Sequence, residues 1–176
     1  MSSFVFFLFF ASLALSCGVF AYAAIEDFRS LKIRNRTVLV LIVLYVVTAG
    51  IGLSTAAIRA EQLVNPIMDL GAGALVFAIG FGMWMAKALG GGDAKLMFPI
   101  GLFVGWDFLL FYAIGLVLFA LGSILILYTP VLNAFGHTHI GLRLLEIRDS
   151  KKFPYGVVMV PALYVALFLK YQAATA

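Results

Sequence analysis

The chain has 176 residues, of which 64% are hydrophobic and 11% charged, with a mean hydropathy of +1.12 and a formal net charge of +4. Soluble domains carry about 45–50% apolar and roughly 25% charged residues, so the composition excludes a soluble protein and predicts an all-α, polytopic membrane protein. In a chain with room for about six spans of roughly 20 residues and little else, the excess of basic groups is a topology signal and not a nucleic-acid one.

The first apolar run, about residues 4–25, has no basic residue before it. It also exceeds the roughly 7–15 apolar residues of a secretory signal, so it reads as a retained first span despite the cleavage-like Ala21-Tyr22-Ala23. Cys17, the sole cysteine, lies within it and excludes an internal disulfide or a Cys-based zinc site. The run ends in the densest charge cluster of the chain, from Glu26 and Asp27 through Arg29, Lys32 and Arg34 to Arg36. A second span covers about residues 37–53, and a polar link with Arg59 and Glu61 follows. Asn65-Pro66 marks a turn, Asp69 is placed to cap the next helix, and the third span runs to about Leu89. There Gly90-Gly91-Gly92-Asp93-Ala94-Lys95 interrupts it.

Residues 96–128 contain one charge, Asp107. As a single helix they would extend about 50 Å against a hydrocarbon core of about 30 Å, so the chain folds back at Gly105-Trp106-Asp107. This predicts a short fourth span over residues 94–105 and a fifth over 108–128, stopped by Pro130. The link over 131–152 carries His137, His139 and a charged patch suited to a membrane surface. A sixth span covers about 155–169, with Lys170 anchoring its end.

Ten basic residues fall in the first, third and fifth loops, whereas Arg59 and Lys170 alone lie on the other side. The positive-inside rule therefore makes those three loops cytoplasmic and puts the N-terminus outside. The fourth span covers only about 18 Å. If its outer end is at the interface, Asp93 sits in a recess below the cytoplasmic surface. Irregular backbone at that depth is tolerated only where it lines protein or a wet cavity.

Among the acids, Glu61, Asp69 and Asp107 read as caps or solvated groups, and Glu146 and Asp149 as members of a surface charge cluster. Asp27 and Asp93 face one side of the membrane. Two carboxylates sharing a site cannot both ionise cheaply. The ionised one can take a proton from water while the protonated one polarises a scissile carbonyl. The glycines leave backbone open to an extended peptide. The His137-Thr138-His139 pair lacks convergent acids or cysteines and does not read as a metal site.

The stretch Gly90-Gly91-Gly92-Asp93-Ala94-Lys95 resembles the Gly-x-Gly-Asp signature of the type IV prepilin peptidases. Residues 27–35 resemble the other half of it, an aspartate followed by an Ile-Pro-Asn-like triplet, here Ile33-Arg34-Asn35. Pro154-Tyr155-Gly156 resembles the entry to the family's last span. The resemblance implies that Asp27 and Asp93 are the catalytic pair, with Gly90, Gly91, Gly92, Asn35, Pro154, Tyr155 and Gly156 supporting the site or positioning substrate. Lys95 reads equally as a group that stabilises the ionised pair or positions substrate and as an interfacial anchor. The implied activity is an aspartic endopeptidase that removes the basic leader of pilin-like precursors at the cytoplasmic face of a bacterial inner membrane. Its implied partners are those precursors, the lipid bilayer and pilus-assembly components. No cofactor, metal or nucleic acid is implied.

The expectation is one membrane-embedded domain over residues 1–176, similar to the small form that accompanies Flp/Tad-type pili, without a Cys-x-x-Cys domain or a readable methyl-donor site. Pro161-Ala162-Leu163 resembles a motif of presenilin-like proteases, but those place the first aspartate inside a span. The alternatives are a proton- or cation-coupled transporter using the two membrane-edge aspartates and a structural subunit of a secretion assembly.

Overall fold

The computed structural model describes residues 2–54, 63–129, 138–150 and 153–173. Among them the chain forms seven α-helices and no strand: α1 (Ser2–Ser30), α2 (Asn35–Ser54), α3 (Pro66–Met85), α4 (Gly91–Val104), α5 (Leu109–Tyr128), α6 (His139–Ser150) and α7 (Gly156–Ala173). A 3-10 turn, Trp106–Phe108, leads into α5. The helices α1, α2, α3, α5 and α7 are long and apolar enough to cross a membrane, which makes this a multi-pass membrane protein. The link with Arg59 and Glu61, the stop at Pro130 and the residue His137 lie outside the described residues.

The helix ends differ from the sequence expectation in ways that matter for the site. The first helix continues past residue 25 to Ser30, so Asp27 belongs to its last turn and not to a flanking loop. The third helix stops at Met85, short of Leu89, and the fourth begins at Gly91, not Ala94. Glycine costs about 1 kcal/mol in a helix interior. Here Gly91 and Gly92 form the first turn of α4, closely packed against Trp84 and Ile33, where an added Cβ would lie 3.2 and 3.1 Å from its nearest neighbour. The 131–152 link contains a helix, α6, whose Ile147 is buried against Leu127 and the Phe28 and Phe153 rings. The Thr138 hydroxyl accepts from Gly141 N–H at 3.0 Å and starts it.

Two further expectations need correction. Asn65, not Asp69, is the N-cap of α3, its side chain accepting from Met68 N–H. Asp69 is instead buried one turn inside the helix. Lys170 is buried too, and does not reach out to an interface.

The short helix α4 lies at the centre of the bundle. Its Leu96, Met97, Ile100, Phe103 and Val104 are buried, while most of α5 presents Leu, Ile and Val outward, as a lipid-facing helix should. Phe103 fits edge-on between Phe20 of α1 and Tyr45 of α2, with ring centroids 5.5 Å from each. Lipid provides little hydrophobic drive between helices, so close approach of small residues has to supply the packing. At the α3–α4 contact a Cβ on Gly101 would lie 2.7 Å from both the Ala72 carbonyl oxygen and Gly73 Cα. Backbone, unlike a flexible side chain, cannot step aside. Gly101→Leu is therefore expected to cost at least about 1–3 kcal/mol by forced displacement, read as a lower unfolding midpoint in micelles. Gly122→Leu, with nothing within 4 Å of its added Cβ, is the matched control and should not lower the midpoint, since replacing a helix-interior glycine is itself favourable.

Candidate functional site

Asp27, in the last turn of α1, is 3% exposed. Its Oδ2 accepts the Gly156 N–H at 2.8 Å. Gly156 opens α7, where backbone N–H groups have no helical acceptor and carry partial positive charge. The carboxylate thus satisfies a donor that the helix start would otherwise leave unpaired. The fit is tight: a Cβ there would lie 3.1 Å from both Asp27 Cβ and Oδ2, so a side chain would press on the carboxylate.

Asp93 sits in the first turn of α4 and is 6% exposed. Gly90, in extended conformation, caps the helix, and its carbonyl accepts from Ala94 N–H at 3.0 Å. A Cβ on Gly90 would fall 2.6 Å from Asp93 Oδ2, so the carboxylate occupies space that any side chain at 90 would take. Asp93 Oδ1 is buried and has no hydrogen-bond partner within the described protein.

The two aspartates line one recess of about 290 Å³, together with Leu31, Lys87, Ala88, Leu89, Gly90, Phe153 and Tyr155. At about 30 Å³ per water, it has room for several waters or a short stretch of extended chain. Tyr155 donates its hydroxyl to the Ala88 carbonyl at 3.1 Å, joining the start of α7 to the turn before Gly90. Leu31 and Lys87 have φ of 53° and 60°, in the left-handed region that side chains disfavour. They are the only such non-glycine residues among those described, and both line this recess.

The other sequence candidates sit around this recess in different roles. Pro154 is buried and lines a neighbouring cavity together with Phe28 and Phe153. Gly91 and Gly92 make room for Trp84 and Ile33. Lys95 is exposed and donates to Asn35 Oδ1 at 3.0 Å, so these two residues pair with each other at the starts of α4 and α2, away from the recess lining. Pro161 belongs to a larger apolar groove of about 760 Å³ between α1 and α7, which contains no acid and to which the presenilin-like tripeptide contributes no carboxylate. Asp107 is exposed in the 3-10 turn beyond the far end of α4.

Leu31, Lys87, Ala88 and Phe153 were not legible as site residues, because their place depends on turn geometry. Phe153 was the nearest to a signal, adjoining Pro154-Tyr155-Gly156. The Glu26–Arg34 ion pair, 2.8 Å across the α1–α2 turn, was also unforeseen.

The model of the type IV leader peptidase family matches residues 13–132, a segment that includes both aspartates and stops short of Pro154. No curated protein and no solved structure matches the chain.

Removing the Asp27 side-chain acceptor should be felt in stability apart from any chemistry. Asp27→Asn keeps an oxygen for Gly156 N–H and is expected to unfold near the parent midpoint. Asp27→Leu leaves that buried donor unpaired, at a cost of about 1–3 kcal/mol. Thermal unfolding of the two variants in the same micelles makes the comparison.

Proposed function

The chain belongs to the type IV leader peptidase family, and on that premise we propose that Asp27 and Asp93 are its catalytic pair, removing the basic leader of pilin-like precursors at the cytoplasmic face. The observation that carries this reading is that both aspartates line one recess, and that Asp93 Oδ1 is buried with no hydrogen-bond partner among the described residues. An unpartnered buried oxygen is expensive to keep; a water donating to it would satisfy it, as would a substrate carbonyl accepting from it once it carries the proton.

Two acids in one recess share a proton, and the proton belongs to the pair. The ionised carboxylate takes a proton from water as the oxygen attacks the scissile carbonyl carbon. The protonated carboxyl donates to the carbonyl oxygen, stabilising the tetrahedral intermediate. Collapse breaks the C–N bond, and the acquired proton goes to the leaving amine. Water is the only co-reactant. The Gly156 N–H holds one oxygen of Asp27 in place, leaving the other for this exchange.

Orientation is read from charge. The basic residues around 28–36, with Arg143 of α6 bonded to the Phe28 carbonyl, lie at the same end of α1 as Asp27, which supports a cytoplasmic active site in a bacterial inner membrane. In the same proposal a Flp-type pilin is the precursor and residues 1–176 are one peptidase domain.

Co-expression with a pilin-like precursor tests the pair. Asp27→Asn and Asp93→Asn should each lower leader removal by about 10²–10⁴-fold, the range of acid–base catalysis, while both proteins still insert. Asp107→Asn, at the other end of α4, should process at the parent rate. Cleavage surviving in both site variants would rule out the dyad. Orientation has its own check: with Cys17→Ser, an Arg29→Cys thiol should react with an impermeant maleimide only from the cytoplasmic side. Labelling from the outside would reverse the topology.

A further inference from the structure

A second set of buried polar groups lies at the opposite end of α4, and the chemistry above does not use it. Asp69 is 4% exposed and Lys170 is 7% exposed. Asp69 Oδ2 accepts the Tyr45 hydroxyl at 2.7 Å and the Asn65 N–H at 3.2 Å. Lys170 Nζ donates to the Phe103 carbonyl at 3.1 Å. Asp69 Oδ1 and Lys170 Nζ both approach Gly105, where a Cβ would lie 2.6 Å from the first and 3.0 Å from the second. Gly105 also has φ of +75°, so space and backbone both require glycine there.

The last carbonyls of any helix lack helical partners, and leaving one bare in an apolar surrounding costs several kcal/mol. Lys170 satisfies the Phe103 carbonyl, and a cation at a helix C-terminus also complements its dipole. A buried ammonium needs a counter-charge nearby, which Asp69 supplies. Asp69 is in turn held by Tyr45. The set therefore draws α2, α3 and α7 onto the last turn of α4. Phe103 is ten residues, or about 15 Å of helix, from Asp93. A rigid rod fixed at one end carries any displacement to the other.

We propose that Lys170, seated by Asp69 and Tyr45, is a positioning residue for leader cleavage: it sets the depth and rotation of α4 and thereby the place of Asp93 relative to Asp27. This rests on the reading of the two aspartates as the catalytic pair. It differs from simple bundle stabilisation in that it predicts an altered site in protein that remains folded.

The test uses the full chain in micelles, with Cys17→Ser, Asp27→Cys and Asp93→Cys, and reads how fast a short bis-maleimide joins the two introduced thiols. Lys170→Met should slow joining several-fold in the folded fraction isolated by size exclusion. Lys170→Arg, which keeps a donor for the Phe103 carbonyl, should restore it. Native joining in Lys170→Met overturns the proposal. With both aspartates intact, Lys170→Met should lower kcat for a pilin-like precursor by about 10–10²-fold, the effect of an approximately 1 Å misplacement, with KM unchanged. An unchanged kcat also overturns it. Joining needs no substrate, so failure of the catalytic reading and failure of the positioning reading give different results. If Lys170→Met does not insert, Tyr45→Phe, which removes only the hydroxyl donor to Asp69, takes both measurements. Slowed joining and lowered kcat then support the proposal, and native values overturn it.

Discussion

In hydrocarbon an unpaired peptide group costs several kcal/mol, and this sets the terms for a helix that is too short. The 14 residues of α4 extend about 21 Å, less than the roughly 30 Å core that its neighbours span. Protein must surround it on every side, and it does: α3 runs along it at the Gly101 contact, and Phe20 and Tyr45 enclose Phe103. The two ends meet the constraint differently. At the C-terminal end Lys170 fills the gap with a charge and a hydrogen bond. At the N-terminal end the gap stays open and is the recess that holds the aspartates.

The parts of this arrangement that rest on composition and spacing were legible in the sequence. Membrane class, the short fourth helix and the acids at Asp27 and Asp93 all follow from runs, breaks and motif spacing. Helix ends were less so. Gly90–Gly92 read as a breaker throughout, yet only Gly90 stands outside the helix, and the next two glycines form its first turn in close contact with Trp84 and Ile33. The 131–152 link read as surface, since its charges masked the apolar residues by which α6 packs on Phe28 and Leu127. Asp69 and Lys170 each had an adequate local explanation, as a cap and as an anchor. Their common burial depends on four helices meeting at Gly105, which no window along the chain contains.

The turn between α1 and α2 shows how a departure from a motif can keep its physical purpose. A proline in the Ile-Pro-Asn-like triplet would restrict φ before α2. Here Arg34 stands in that place and reaches back to Glu26, at 2.8 Å. The pair is partly exposed and contributes at most about 1 kcal/mol to stability. Its geometry nevertheless links the end of α1, one residue before Asp27, to the start of α2. Ile33, between them, packs against Gly92 at the start of α4.

The bond from Gly156 N–H to Asp27 joins residues 129 positions apart in sequence. During synthesis, at about 5–20 residues per second, the carboxylate waits on the order of ten seconds for the donor that seats it. The first five helices can therefore enter the membrane and pack with Asp93 already on its helix while Asp27 still lacks its bond to Gly156. The seating of Asp27 is tied to the making of α7. A ribosome-bound chain that has not yet made Gly156 accordingly carries both acids without the bond that orients Asp27.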